Sequence, residues 1–385
     1  MLNFTFHNPT RIHFGNGQIQ AIAKEIPEDA KVLVLYGGGS IKSNGVYDQV
    51  IAALGNRAVF EFSGIEPNPS YDTLVKALPL IRDNKVDYLL AVGGGSVVDG
   101  TKFIAGAALF EGDDPWDIIA KQQRIKRALP IGVVLTLPAT GSESNAGAVV
   151  TRNGNKLPFS STLVRPKFAV LDPAVTLTLS DRQVGNGVVD AFVHTMEQYL
   201  TYNVNAKLQD RFAEGILQTL IEEGPKALAG KTKEDLDIRA NIMWSATMAL
   251  NGLIGAGVPQ DWATHMIGHE LTGSHNIDHA RTLSIVLPAV MKVRRDVKRE
   301  KLLQYAERVW QITEGSDDEK VDQAISLTEN FFEKMGVPTR LSHVDLNESH
   351  LDALISKLTQ HGMIKLGEKR DITPEISRKI LEAAL

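Results

Sequence analysis

The chain has 385 residues, 43% of them hydrophobic and 23% charged, with 41 Lys+Arg against 46 Asp+Glu and a net charge of −5. This is the composition of a globular protein long enough for two domains, and its slight acidity excludes the basic footprint of a nucleic-acid binder. The absence of cysteine removes disulfides, iron–sulfur clusters, Cys-ligated zinc and thiol nucleophiles together, so any metal must be held by imidazole and carboxylate.

The opening MLNFTFHNPTRIHFG shows no basic stretch followed by an apolar core, and no signal peptide is expected. No apolar run approaches the roughly 20 residues of a bilayer span, which points to a cytoplasmic protein without membrane association. KVLVLY (31–36) reads as a buried strand ended by GGGS, and VYDQVIAAL reads as a helix. AVFEF (58–62) is a second strand, and SYDTLVKALPLIRDN (70–84) is helical with a kink at Pro79. VDYLLAV (86–92) is a third strand, again ended by GGGS, and VVDGTKFIAGAAL follows as a helix with Ser96 near its N-cap. IGVVLTLP (131–138) and FAVLD (168–172) complete the strands. Such alternation predicts a mostly parallel sheet covered by helices.

After residue 180 the texture changes to long helical periodicities such as RFAEGILQTLIEEGPKAL and KLLQYAERVWQITEG. The LDP turn at 171–173 and SDRQ at 180–183, a candidate N-cap, mark the border. The expectation is an α/β domain over 1–180, an all-α domain over 181–385, and a ligand cleft between them. GPKALAGKT (224–232) mimics a phosphate loop, but five residues separate Gly224 from Gly230 where four are required. It also follows a helical pattern, and a helix-end loop is the expected structure.

Two features carry chemistry. YGGGS (36–40) and the VGGGS that begins at Val92 each follow a buried strand. Glycine turns between strand and helix aim free backbone N–H groups at an anion, with the helix dipole adding to them. One GGGS is only a turn; two in one sheet suit a dinucleotide, through a variant of the usual G-x-G-x-x-G. An NAD site commonly places an acid at a strand end to accept the ribose 2′-hydroxyl. Gly37 to Ser40 offer none, which favours NADP(H).

The second feature is HMIGHELTGSHNIDH, where His265, His269, His275 and His279 fall within 15 residues although the chain has 10 histidines in all. Upstream, DAFVH puts Asp190 and His194 one helical turn apart in an apolar setting where an unpaired carboxylate is costly. The pattern reads as a metal site. Zincin motifs do not fit, since Gly273 stands where HExxH needs its second histidine. Imidazole and carboxylate suit Fe(II) or Zn(II), and spacing leaves open which histidines ligate. Trp262, Met266, Ile267 and Leu271 around this block suit an apolar substrate.

FGNGQI, YGGGSIKSNGV, GIEPNP, AVGGGSVVDGTKF, LTLPATGSESNAGAV, VVDAFVH, GVPQDWATHMIGHEL and DHARTLSIVLP together resemble the iron-containing (group III) alcohol dehydrogenase family over essentially the whole chain. The similarity is strongest to its bacterial NADPH-dependent aldehyde reductases and butanol dehydrogenases. The resemblance implies a Rossmann-like parallel α/β domain followed by an all-α domain, the dehydroquinate synthase-like fold. It implies a metal held by Asp190, His194, His265 and His279, with His269 beside it as a proton relay. Gly94, Gly95 and Ser96, with Asp99, would hold the diphosphate. Thr136, Thr140, Asn145 and Lys156 would line the nicotinamide half, and Asn68 the adenosine side. Gly38 and Ser40 stand where NAD-preferring relatives carry an acid. The implied reaction is hydride transfer between NADP(H) and short- to medium-chain aldehydes or primary alcohols, by a homodimer. A sugar-phosphate lyase or cyclase on the same fold is the alternative, and a nucleotide-binding protein without catalysis is a third reading.

Overall fold

The computed structural model describes residues 1–228 and 235–385. The chain divides into two compact units, His7–Leu179 and Ser180–Leu385, and Met1–Phe6 belongs with the latter. In the first unit the strands are β1 (Arg11–Phe14), β2 (Lys31–Leu35), β3 (Ala58–Phe62), β4 (Tyr88–Gly94), β5 (Ile131–Leu137), β6 (Gly147–Arg152), β7 (Asn155–Ser160) and β8 (Phe168–Leu171). Six of them form one sheet in the order β1-β8-β5-β4-β2-β3, every pair parallel. β6 and β7 form a separate antiparallel hairpin.

The central strands are continuous apolar runs because they are buried on both faces: Val32 to Leu35, Leu89 to Val92 and Val133 to Leu135 are almost wholly inaccessible. Val32, Val34, Leu90, Val92, Val134 and Phe168 share one core with Val46, Val50 and Leu54 of α1 (Val46–Leu54). Each such side chain contributes about 1.5–3 kcal/mol by leaving water.

Three features differ from the sequence expectation. The segment 70–84 is split into a single turn, Tyr71–Leu74, and α2, Ala77–Asn84. Pro79 lies in the first turn of α2, where its missing N–H is harmless, while its ring bars a helix running through Val75. β4 takes in Gly93 and Gly94, and α3 (Gly95–Ala107) begins on Gly95 with Gly94 as N-cap, so Ser96 lies inside the first turn. The hairpin turns on Asn153 and Gly154, both with positive φ (52° and 74°), the pairing that a tight two-residue hairpin demands.

The second unit is helical: α4 (Asp181–Tyr199), α5 (Lys207–Lys226), α6 (Leu236–Leu250), α7 (Ala263–His275), α8 (His279–Val293), α9 (Arg299–Arg308), α10 (Asp317–Lys334), α11 (Leu351–Gln360) and α12 (Pro374–Glu382). α5 ends at Lys226 inside GPKALAGKT; the rest of that segment from 229 onward lies outside the described residues. α4 starts on a capping box, with Gln183 N–H donating to Ser180 Oγ (3.3 Å) and Ser180 N–H to Gln183 Oε1 (3.0 Å). Among the described residues no helix is long and apolar enough to cross a membrane.

Gly132 of β5 lies opposite Phe168 of β8, and a Cβ there would stand 2.4 Å from the Phe168 ring. Gly132→Ala is expected to destabilise the first unit by about 1–3 kcal/mol through overpacking. Urea denaturation followed by a probe in that unit checks this.

Candidate metal centre and cofactor loops

The histidine cluster is assembled by three helix segments of the second unit. α4 carries Asp190, His194 and Glu197 at i, i+4 and i+7, on one face. α7 carries His265 and His269, again one turn apart, and α8 begins at His279. Asp278, just before α8, accepts from Arg182 Nε (2.9 Å) and Asn186 Nδ2 (3.0 Å), which ties the start of α8 to α4 and sets His279 against Asp190.

Ligand atoms of Asp190, His265 and His279 lie within 4.8 Å of one another. Asp190 Oδ1 is buried and accepts no hydrogen bond; it stands 3.7 Å from His194 Nδ1 and 3.7 Å from His279 Nε2. His194 adds a second contact, its Nε2 being 3.0 Å from His265 Nε2 with the rings stacked at 4.5 Å. A buried carboxylate oxygen without a donor is costly. Imidazole nitrogens just beyond hydrogen-bonding range around it have the spacing of ligands that share one cation, about 3.4 Å in a tetrahedron of 2.1 Å bonds. The donor set of one carboxylate and imidazoles therefore fits Fe(II) or Zn(II). The His269 ring is 5.3 Å from that of His279 and 6.2 Å from that of His265, so it stands beside the cluster. His275 does not join it; its ring packs 5.5 Å from His350.

Glu197, which the sequence reading missed, organises the centre. Its Oε1 accepts from the N–H groups of Thr264 (2.7 Å) and His265 (3.3 Å), and its Oε2 meets His265 Nδ1. A carboxylate on Nδ1 leaves Nε2 as the lone-pair side of the ring, the usual support for a metal-bound histidine. Burial, with the charge of Asp261 nearby, pushes the Glu197 carboxyl up to about 8. Asp261 in turn accepts from Ala263 N–H (2.8 Å) at the start of α7 and pairs with buried Lys298 (2.5 Å). Burial opposes the Lys298 charge, yet Asp261 and Glu368 hold its ammonium above its usual range. The clue in the sequence was spacing: Glu197 follows His194 by three residues in the same apolar helix.

Trp262 has positive φ (62°) and packs its ring 5.4 Å from His265 and 6.2 Å from His194. Ile267 and Leu271 correct the sequence reading. Both belong to the hydrophobic core of this unit, and Met266 packs against that core. Of the four apolar residues, Trp262 alone is placed against the cluster.

In the first unit the two glycine loops are built for different reasons. Gly39 has φ 93°, and added methyls at Gly38 and Gly39 would meet nothing within 4 Å. Gly93 and Gly95 instead serve close packing: a Cβ would stand 2.5 Å from Val97 Cγ2 and 2.5 Å from Thr140 Oγ1 respectively. α3 starts there with no side-chain cap, leaving the first-turn N–H groups for an anion. Lys156 Nζ donates to Asn68 Oδ1 (2.9 Å), which joins two predicted cofactor residues. Thr136 and Thr140 follow on β5 and the loop after it, and Thr140 Oγ1 accepts from Ser142 N–H (3.2 Å). Asp99 is engaged by protein donors at both oxygens, Ser142 Oγ (2.5 Å) and Val149 N–H (2.9 Å). Buried Lys102, unforeseen in the sequence, donates to Ser142 Oγ (2.8 Å), Asn145 Oδ1 (3.0 Å) and Gly147 O (2.7 Å). Burial lowers its ammonium to about 8 against the pull of Asp99. Lys102 and Asp99 thus fasten α3 to the loop that carries Asn145.

Two family models cover the chain: iron-containing alcohol dehydrogenase over residues 9–173, and the C-terminal domain of the Fe-containing alcohol dehydrogenase family over 185–385. The chain belongs to the iron-containing alcohol dehydrogenase family. It is 64% identical to the NADPH-dependent aldehyde reductase YqhD of Escherichia coli K12, with the whole of both chains covered. It is 37% identical to NADH-dependent butanol dehydrogenase A of Clostridium acetobutylicum over 97% of each. Among solved structures, E. coli YqhD superposes with TM-score 0.98 at 63% identity, covering 100% of this chain and 99% of that one. The butanol dehydrogenase A of Thermotoga maritima gives 0.94 at 37%, covering 100% and 99%. Family members so similar in fold thus include both NADPH- and NADH-named enzymes.

If Glu197 fixes the ring of His265, Glu197→Gln, which can turn an amide N–H toward Nδ1, is expected to weaken divalent-metal binding about 10- to 100-fold. Equilibrium dialysis of the metal against a chelator, beside an unchanged far-ultraviolet spectrum, checks this.

Proposed function

We propose that this chain is a metal-dependent, NADP(H)-linked alcohol dehydrogenase that works chiefly as an aldehyde reductase on short- to medium-chain substrates. The observation that carries the reading is the buried, undonated Asp190 Oδ1 ringed by imidazoles, in a chain 64% identical to an enzyme named for NADPH-dependent aldehyde reduction. Residues 1–180 form the dinucleotide-binding part and 181–385 the metal-binding part. Asp190, His194, His265 and His279 hold Fe(II) or Zn(II). When bound, the ion supplies Lewis acidity toward the carbonyl oxygen, and the nicotinamide supplies hydride.

The remaining work falls to side chains. Glu197 holds His265 in one tautomer. His269, beside the cluster without joining the donor group, delivers a proton to the substrate oxygen. The Trp262 ring offers an apolar wall. Gly94 at the N-cap and Gly95 and Ser96 in the first turn present N–H groups to the diphosphate, and Asp99 braces them through Ser142 and Val149. Thr136, Thr140, Asn145 and Lys156 line the nicotinamide half, Asn68 the adenosine side, and Gly38 and Ser40 the neighbourhood of the 2′-phosphate. A cytoplasmic homodimer without nucleic-acid or membrane partners is part of the same reading. The sugar-phosphate lyase or cyclase alternative is not favoured: the family models and relatives above are alcohol and aldehyde oxidoreductases.

NADPH oxidation with butanal is expected to be lost on chelation and to return with Fe(II) or Zn(II); full activity after complete metal removal would overturn the reading. His269→Ala is expected to lower kcat about 10²- to 10⁴-fold, with the loss read from steady-state kinetics across pH.

A further inference from the structure

We propose that Lys42 determines the preference for a 2′-phosphorylated cofactor by neutralising Glu61. The inference rests on the NADP(H) reading of the Gly37–Ser40 loop and supplies its missing electrostatic part. The loop itself contains no acid, but the neighbouring strand brings one. Glu61 of β3 pairs in register with Val34 of β2, and the chain leaves β2 directly into Tyr36 and the glycines. Tyr36 O–H donates to Glu61 Oε2 (2.7 Å), Lys42 Nζ donates to the same oxygen (2.9 Å), and Tyr47 O–H donates to Oε1. The Lys42 ammonium also lies 4.6 Å from the Tyr47 ring centre and 5.3 Å from that of Tyr36. Lys42 belongs to the single helical turn that opens at Ser40.

An acid at this edge of the sheet is the device by which a dinucleotide site accepts a ribose 2′-hydroxyl and repels a 2′-phosphate. Here hydrogen bonds from Tyr47, Lys42 and Tyr36 hold the carboxyl near 2, so it is charged at every working pH. Each of its oxygens accepts from one phenol, and its charge is cancelled by one ammonium, which shares Oε2. The phenols alone would keep Glu61 hydrogen-bonded and ionised. Both members of the ion pair are substantially exposed, 48% for Lys42 and 35% for Glu61, and such pairs add little stability. What the lysine changes is the local charge: without it, one uncompensated negative charge stands beside the loop.

The test compares adenosine 2′,5′-bisphosphate with 5′-AMP, which differ only by the 2′-phosphate, by titration calorimetry on the full chain. Wild type, Lys42→Met, Glu61→Gln and the double variant are measured, with melting curves as a check on folding. Lys42→Met is expected to weaken the bisphosphate about 5- to 20-fold while changing 5′-AMP less than about twofold, and Glu61→Gln in that background to recover most of the loss. Equal weakening of both nucleotides, or no weakening, overturns the proposal. A double variant as weak as Lys42→Met also overturns it, since Lys42 would then act on the phosphate directly. If the wild type itself binds 5′-AMP as tightly as the bisphosphate, the NADP(H) reading fails, an outcome visible before any substitution is made.

Discussion

The second unit is organised around one unfavourable arrangement, a buried carboxylate oxygen that receives no hydrogen bond. Asp190 Oδ1 would be expensive to keep in that position for the fold alone. Yet the surrounding chain takes trouble to maintain it: a capping box starts α4, Asp278 ties α8 to the same helix, and Glu197 and Asp261 hold the first turn of α7. Of these, Glu197 contacts an imidazole itself, the His265 ring, and the others fix the helices that carry the histidines. A cation of charge two is the simplest partner that makes the arrangement favourable, and it would also draw the Glu197 carboxyl toward its ionised form.

The same logic separates the two glycine loops, which look alike as letters. At Gly93 and Gly95 the missing side chain lets Val97 and Thr140 close on the backbone at the start of α3. At Gly39 the positive φ is what matters; an added methyl there or at Gly38 would meet nothing, while one at Gly37 would stand 3.1 Å from Ile65 O. One loop is therefore packed and braced through Asp99 and Lys102; beside the other stands the Lys42–Glu61 ion pair. Relatives of one fold are named for different nicotinamide cofactors, and the proposed role of Lys42 places that difference at the first loop.

Much of this was legible in the residues. The buried strands announced themselves because both faces are covered, so apolar runs stand in place of alternation. The metal cluster was visible because four histidines and an Asp-x₃-His pair are improbable by scatter. β1 carries little signal because RIHF is four residues long and polar at two of them, and the β6–β7 hairpin is marked in the sequence only by its Asn153-Gly154 turn. The apolar residues around the histidine block suit an apolar substrate by their letters, yet Ile267 and Leu271 belong to the core, since sequence does not tell what an apolar face meets. Spacing marks Glu197 as a candidate but not its role, and Lys102 and Glu61 carry no such signal, for a common reason. Each acts through partners far away in sequence or on a neighbouring strand, and only the fold brings them together.

The most direct test of the central claim is the metal stoichiometry of the purified, metal-loaded chain by elemental analysis, measured for wild type, Asp190→Ala and His269→Ala. The account predicts one Fe or Zn per chain in the wild type, close to none in Asp190→Ala with the fold retained, and full occupancy in His269→Ala, because His269 stands beside the donor group rather than in it. A folded Asp190→Ala variant that still carries one tightly held ion per chain would contradict it.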